Sequence, residues 1–336
     1  MKKTARLSKG LIVCFLLAFI ILVSCKKDSL NSKELLIYVA GDYGSVTNTK
    51  TVSLVHTPLS IVGSTIVSIP VYATHEVVAD VDAYIYPDTR FIPTYNQQNG
   101  TTYLELPQAN YKINNDVKHR ISAGKSVSSD SIQIEILHPE QLTNVNGYLL
   151  PFTVTKIDGE DKGVQISSNQ ATVYMVIPYQ FTNIQSTQIP LAGTLASRTA
   201  WTVTVSNTTS GALGPAMLDG NNSTAWRSSN STTAAKNVIL NVGSQQTIKG
   251  FQIVPNYVTT TENATQMTIS TSTDNVTYTV QGVWTGTGPA STSSAASPDI
   301  KGVNFIAPVT AQYFRFDITA LVSGGRVGFG ELNAVQ

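Results

Sequence analysis

Ile132, Ile134 and Ile136 alternate with Gln133 and Glu135, and Val81, Ala83 and Ile85 alternate with Asp82, Tyr84 and Tyr86. A period of two sends successive side chains to opposite faces, one dry and one wet, and only an extended strand does this. From Leu35 to about Pro178 strand-like runs rich in β-branched and aromatic residues recur, among them Leu36 to Val39, Thr51 to Val55 and Thr65 to Tyr72. Turn residues separate them at Gly41-Asp42, Asn99-Gly100, Ala123-Gly124-Lys125 and Asp158-Gly159. No long stretch repeats at helical spacing. The spacing predicts an all-β chain whose first half, residues 35–180, is an immunoglobulin-like β-sandwich of two antiparallel sheets. Tyr179 to Gln188 lacks a strand pattern and marks a boundary, with a second domain over 190–336.

The start of the chain reads differently. Lys2, Lys3, Arg6 and Lys9 precede an apolar run from Leu11 to Val23, the pattern of a secretory signal and short for a membrane span. The run ends in Leu22-Val23-Ser24-Cys25, which resembles a lipobox; residues 1–24 are then a lipoprotein signal peptide and Cys25 carries the lipid. Residues 25–34 read as a lipidated polar tether. Cys14 is removed with the signal, which leaves no thiol for a disulfide framework or a Cys-based metal site. The cut also moves the balance of basic and acidic residues from 22 against 21 to 18 against 21. A nearly neutral chain has no electrostatic footprint for nucleic acid.

In the second half, Trp201 to Val205, Lys236 to Val242, Gly302 to Ile306, Tyr313 to Ile318 and Phe329 to Val335 read as strands. Gly286 to Ser297 is a small-residue segment expected to be a mobile surface loop. The densest chemistry lies in Asp219-Gly220-Asn221-Asn222-Ser223-Thr224-Ala225-Trp226. A carboxylate, amides and hydroxyls on one tight turn suit a hard cation such as Ca²⁺, which takes six to eight oxygen ligands. Gly220 permits the sharp turn and Trp226 is large enough to fix it against a core.

These eight residues, with Gly330-Glu331 near the end and Lys249-Gly250-Phe251-Gln252-Ile253 and Tyr313-Phe314-Arg315-Phe316 between, resemble the discoidin-like or F5/8 type C domains, and within them the family 32 carbohydrate-binding modules. The resemblance implies a jelly-roll β-sandwich over 190–336 and a structural Ca²⁺ clasping its two ends. Asp219 and Glu331 supply carboxylates to that ion, Asn221 and Thr224 further oxygens, and a carbonyl near Ala216 another. The alternative is that Asp219 caps a turn and Glu331 is solvated. It also implies a glycan site on loops at one end of the sandwich. Asn256, Tyr257, Trp284 and Arg326 are the candidates, since a sugar needs a flat aromatic face and planar polar groups. Trp284 fits a core position equally well, and Arg326 a solvated loop.

The first half resembles the domain-of-unknown-function family 1735, found at the N-terminus of Bacteroidota lipoproteins of glycan-utilisation systems. The matching pieces are Tyr103-Leu104-Glu105-Leu106-Pro107, Tyr111-Lys112-Ile113, Ile121 to Ser126 and Tyr148-Leu149-Leu150-Pro151-Phe152. That family implies a spacer or pairing module and brings no catalytic residues.

Catalysis finds little support. All four histidines lie in the first half without metal-ligand spacing, and the second half has neither His nor Cys. The densest acidic group is Glu76, Asp80, Asp82 and Asp88, but Asp80 and Asp82 alternate with the apolar positions of a strand and read as a solvated face, not as paired glycosidase carboxylates. The expected protein is a non-enzymatic, lipid-anchored outer-membrane protein on the cell surface. It binds a glycan or polysaccharide beside an uptake or glycosidase complex. The alternatives are a structural or adhesive lipoprotein with protein partners, and an accessory subunit of a glycosidase.

Overall fold

The computed structural model describes residues 34–158 and 163–336, so the signal segment, Cys25 and all of the tether but Glu34 lie outside the described residues. The alternating residues sit as their period demands. Ile132, Ile134 and Ile136 are buried on the strand Val127–Ile136, and Val81, Ala83 and Ile85 on Val81–Pro87, while Asp82 and Tyr84 face the other way. One sheet runs Val164–Ile166, Leu35–Val39, Ile66–Ala73, Val127–Ile136, Tyr111–Ile113. The other runs Thr49–Thr51, Thr172–Ile177, Tyr148–Asp158, Val81–Pro87, Lys118–Ile121, with Leu104–Glu105 beside Tyr148–Asp158. Ile37, Ile69 and Ile134 from the first sheet share one core with Ile85, Phe152 and Met175 from the second. Burying a side chain of this size contributes about 1.5–3 kcal/mol.

Two features depart from the expected all-antiparallel sandwich. Val164–Ile166 joins Leu35–Ile37 in parallel, as Thr49–Thr51 joins Tyr174–Val176 and Leu104–Glu105 joins Tyr148–Leu149. Each is a short segment added at a sheet margin, where it covers backbone groups that an open edge leaves unpaired. The second departure is the helix Ile92–Asn99. Asp88 caps the 3-10 turn before it, Pro93 lies in its first turn, and Gly100 closes it at φ 63°. Its buried Ile92 and Tyr95 pack on Leu149 and Val176 of the second sheet. Start and stop residues are all present in the sequence, but two apolar positions are too few to display a helical period.

The residues between the halves are stitched at both ends. Gln180–Phe181 pairs in parallel with Val55–His56, and the Thr182 N–H donates to the His56 carbonyl at 2.9 Å. The next residue, Asn183, is buried in the second half. Its side-chain amide donates to Gln281 Oε1 and the Ala307 carbonyl, both at 3.0 Å, and accepts from the Ala307 N–H at 2.8 Å. Gln185 then bonds the backbone of Asn304 and Phe305.

The second half is one antiparallel sheet, in order Trp226–Arg227, Gly328–Val335, Asn237–Pro255, Lys301–Leu321, Ala264–Ser272, Thr279–Thr285, with Thr202–Val205 added to Asn237–Pro255. The two longest strands break register between Asn241 and Gln246 and between Ile248 and Gly250. Such irregularities bend a strand, so one pair of strands serves both layers of a sandwich. Phe251 anchors the core, with Phe314, Phe316 and Phe305 meeting it edge-on at 5.0, 5.2 and 6.2 Å.

Asn183→Ala removes the partner of the half-buried Ala307 N–H and of the buried Gln281 Oε1. Leaving such groups unsatisfied costs about 1–3 kcal/mol each. Denaturant unfolding of the variant is expected to show a loss in that range, and an unchanged midpoint would refute the role given to Asn183.

Candidate functional site

The acidic turn at Asp219 and the chain's last strand meet. Gly330 lies where a Cβ would sit 2.7 Å from the Pro255 carbonyl, so only glycine lets the last strand pass this close before Glu331. Glu331 is 2 % exposed. Its Oε1 accepts the Gly220 N–H at 2.9 Å and the Asn221 N–H at 3.2 Å, and its Oε2 pairs with the Arg198 guanidinium. Gly220, at φ 80°, turns the backbone so that both N–H groups face the carboxylate. Asp219 sits beside this pair. Its Oδ1 accepts the Asn221 N–H and its Oδ2 the Thr224 hydroxyl, both at 2.8 Å, and that hydroxyl also lies 2.8 Å from the Asn221 carbonyl. Ala216 belongs to the 3-10 turn Gly214–Met217 that delivers Asp219. The Asn221 carbonyl accepts from the N–H and the hydroxyl of Thr224, and its side-chain oxygen from the Ser223 N–H.

The electrostatics follow from burial. Desolvation pushes the Glu331 carboxyl above the usual range, Arg198 opposes it, and the neighbouring Asp219 adds to the rise. Burial also works against Asp219, but the Thr224 hydroxyl, the Asn221 N–H and Glu331 outweigh it and hold Asp219 below its ordinary value. Two carboxylates face one guanidinium, which leaves one negative charge uncompensated. With Asp219, Glu331, the Thr224 hydroxyl and the Asn221 carbonyl converging, the donor set is oxygen only and fits a hard cation. Among the described residues no group of three or more His, Cys, Asp or Glu side chains is placed to hold a metal, so a cation here draws on neutral oxygens as well.

The four sugar-site candidates do not form one surface. Trp284 is 3 % exposed and donates its indole N–H to the Gly302 carbonyl at 2.8 Å; a ring held in the core presents no face to a ligand. Asn256 is fully buried, its Oδ1 accepting the Val258 N–H at 2.9 Å. Both expectations are corrected. The alternation of the strand Thr279–Thr285 turns Trp284 inward, and Asn256 closes the loop that follows Pro255. Tyr257 and Arg326 remain at the surface, half-buried. The Tyr257 hydroxyl accepts the Asp299 N–H at 2.7 Å and lies 2.9 Å from the Ser293 hydroxyl. Asn222 donates to the Ala295 carbonyl at 3.2 Å, so the segment expected to be a free loop is tied down at several points.

Around Arg326 lies a cluster that the sequence reading missed. Arg227 grips Glu262 with two parallel bonds of 2.7 and 2.9 Å, and Arg326 approaches the same carboxylate at 3.4 Å. The Arg227 hydrogen bonds, helped by both guanidinium charges, hold Glu262 below the ordinary glutamate value. Two buried donor atoms nearby, Arg326 Nε and Asn256 Nδ2, have no partner among the described residues. The cluster therefore carries a surplus of donors and a net positive charge.

A model of the F5/8 type C domain matches residues 202–331. Residues 202–331 form an F5/8 type C domain. A second family model, described as a "-like, N-terminal domain", matches residues 31–161. No curated protein matches the chain. The chain is similar over its full length to a two-domain protein of unknown function from Bacteroides fragilis, at 16 % identity, with 100 % of both chains covered and a TM-score of 0.58. It is also similar to a family 32 carbohydrate-binding module of Clostridium perfringens NanJ in complex with galactose, at 19 % identity over 42 % of this chain and 97 % of that one, TM-score 0.35. A module from C. perfringens in complex with GalNAc-β-1,3-galactose gives 16 % identity over 43 % and 100 %, TM-score 0.36.

Arg198 lies just outside the match to the F5/8 type C domain, yet it pairs with Glu331 inside it. A sequence signal existed for both missed groups. Arg198 is the sole basic residue between Lys162 and Arg227, and Glu262 the sole acid between Asp219 and Asp274. In the first half, Asp82 is bound by Arg120 at 2.7 Å and Lys118 at 3.3 Å, and Arg120 also reaches Asp80, so the acidic strand face is ion-paired across two strands.

Because the folded value of Glu262 is depressed, its stabilising contribution is present above its unfolded value, near 4.5, and is lost as pH falls through the folded one. Melting of the second half from pH 7 to pH 3 is expected to fall less steeply in acid for Glu262→Gln than for wild type. Identical profiles would remove Glu262 from the account.

Proposed function

We propose that the F5/8 type C domain is a carbohydrate-binding module whose contacts centre on the Arg227–Glu262–Arg326 cluster. The observation that carries this reading is the half-buried Arg326 beside Arg227, two guanidinium groups that share the one carboxylate of Glu262. A ligand rich in acceptor oxygens satisfies such a site, and planar groups fixed by their own ion pairs lose little freedom on binding. Thr259, bonded by Arg227 at 3.3 Å, adds a hydroxyl, and Tyr257 lends a half-buried ring at the neighbouring loop. The segment Lys2 to Cys25 supports export and attachment by lipid at Cys25, with the module held at the outer membrane to capture polysaccharide for an adjacent uptake or glycosidase system. In this reading the chain binds and does not turn over its ligand.

The clasp supports a second part of the proposal, a structural Ca²⁺ held by Asp219, Glu331, Thr224 and the Asn221 carbonyl, with the Ala216 carbonyl as a further ligand. The ion supplies the positive charge that Arg198 alone does not. Its role is to fix the turn that leads into Trp226, not to touch the sugar.

Affinity electrophoresis in polysaccharide gels and titration with oligosaccharides test the binding site. Arg326→Ala is expected to weaken binding at least tenfold, or about 1.4 kcal/mol, with melting preserved because Arg227 still grips Glu262. Equal retardation of variant and wild type would move the site elsewhere. For the clasp, Ca²⁺ is expected to raise the melting temperature and a chelator to lower it; saturation at a hundredfold excess over Kd contributes about 2.7 kcal/mol. Asp219→Ala should abolish that response. A wild-type melt indifferent to Ca²⁺ and chelator would sink the cation assignment.

A further inference from the structure

We propose that the N-terminal sandwich holds a second saccharide site, independent of the F5/8 type C domain. A cleft of about 530 Å³ opens on the outer face of its second sheet. The helix Ile92–Asn99 and the loops that follow the strands Leu35–Val39 and Val164–Ile166 bound it. Its size lies in the range of small-ligand sites, which run from about 300 to 1,000 Å³.

The lining is chemically selective. Among the described residues it contains no Asp, Glu, Lys, Arg or His, so a phosphate, a carboxylate or an ammonium finds no counter-charge there. What it offers is aromatic faces and neutral hydrogen-bonding groups. Tyr174 lines the floor, with its ring 4.6 Å from that of Tyr95, and Phe91 lines one wall. Thr153 and Thr172 add a pair of hydroxyls 2.9 Å apart. Gln98, Asn169 and Gln170 supply amides.

The framework of the cleft is bonded internally, whereas two of its lining amides face solvent. Asn48 holds one loop in place, donating to the carbonyls of Val39 and Thr172 and accepting the Gly41 N–H. The side-chain amides of Gln98 and Gln170, in contrast, make no hydrogen bond with another described residue. A planar amide offers a donor and an acceptor side by side, which matches vicinal hydroxyls that both give and take protons. An aromatic ring covers the apolar C–H face of the same sugar. Neutral amides and half-buried aromatic rings together select an uncharged saccharide over a charged metabolite.

The test uses the full chain in native gels containing starch, xyloglucan, galactomannan or mixed-linkage β-glucan, with polygalacturonate as an acidic control. An Arg326→Ala background removes the contribution proposed for the other domain. In that background at least one neutral polysaccharide is expected to retard migration, and Gln98→Ala combined with Gln170→Ala to weaken retardation at least tenfold. Those two side chains make no hydrogen bond with another described residue, so circular-dichroism melts should coincide. The proposal is overturned if no neutral polysaccharide retards the Arg326→Ala chain. It is equally overturned if the double substitution leaves retardation unchanged, or if only polygalacturonate or a peptide ligand is bound.

Discussion

The carboxylate of Glu331 is withdrawn from water, and a group in that position must be met from several sides at once. An isolated buried charge is strongly disfavoured, whereas one that accepts several donors and faces an opposite charge is tolerated. Here two backbone N–H groups from the turn at Gly220–Asn221 and the guanidinium of Arg198 converge on it. Three distant parts of the chain are thereby fixed against one another: the segment before the first strand of the domain, the acidic turn, and the last strand. The turn runs directly into Trp226, which is fully buried, meets Phe329 edge-on at 5.8 Å and donates its indole N–H to the Asn207 carbonyl. Polar and apolar anchoring of the same loop are thus adjacent in sequence.

That arrangement connects the clasp to the surface where ligand is expected. Arg227, the residue after Trp226, is the one that grips Glu262. Asn222, within the acidic turn, bonds the segment near Ala295, and Tyr257 bonds the same segment at Ser293 and Asp299. Two short covalent and hydrogen-bonded paths therefore run from the buried carboxylate to the loop end. A disturbance of the turn has a physical route to the Arg–Glu–Arg cluster without passing through the hydrophobic core.

Much of this was legible in the sequence, and the reason differs from element to element. Period-two alternation located the inward faces of Val81–Pro87 and Val127–Ile136 because each strand has one dry side. The convergence of Asp219 and Glu331 rested on matching motif pieces, since no local pattern tells where residues more than a hundred positions apart will meet. Trp284 shows the opposite difficulty. An indole is equally at home against a sugar and inside a core, and only its register on the strand Thr279–Thr285 decides between them. Edge strands paired in parallel and a helix with two buried residues left no periodic trace. Arg198 was hidden because an ion pair formed across so long a separation has no sequence signature beyond the scarcity of charge around it.

The stitched junction at Gln180–Gln185 bears on multivalent capture. A flexible tether lets two binding surfaces sample many separations, and the gain in avidity then follows from tether length. A junction whose residues are bonded in succession to His56 on one side and to Gln281, Asn304 and Ala307 on the other removes most of that sampling. Effective concentration becomes a property of the geometry: a polymer whose repeat fits the spacing gains strongly from a second contact, and one that does not fit gains almost nothing. Stiffness between the modules would in that way read the conformation of a polysaccharide chain, over and above the identity of its sugars.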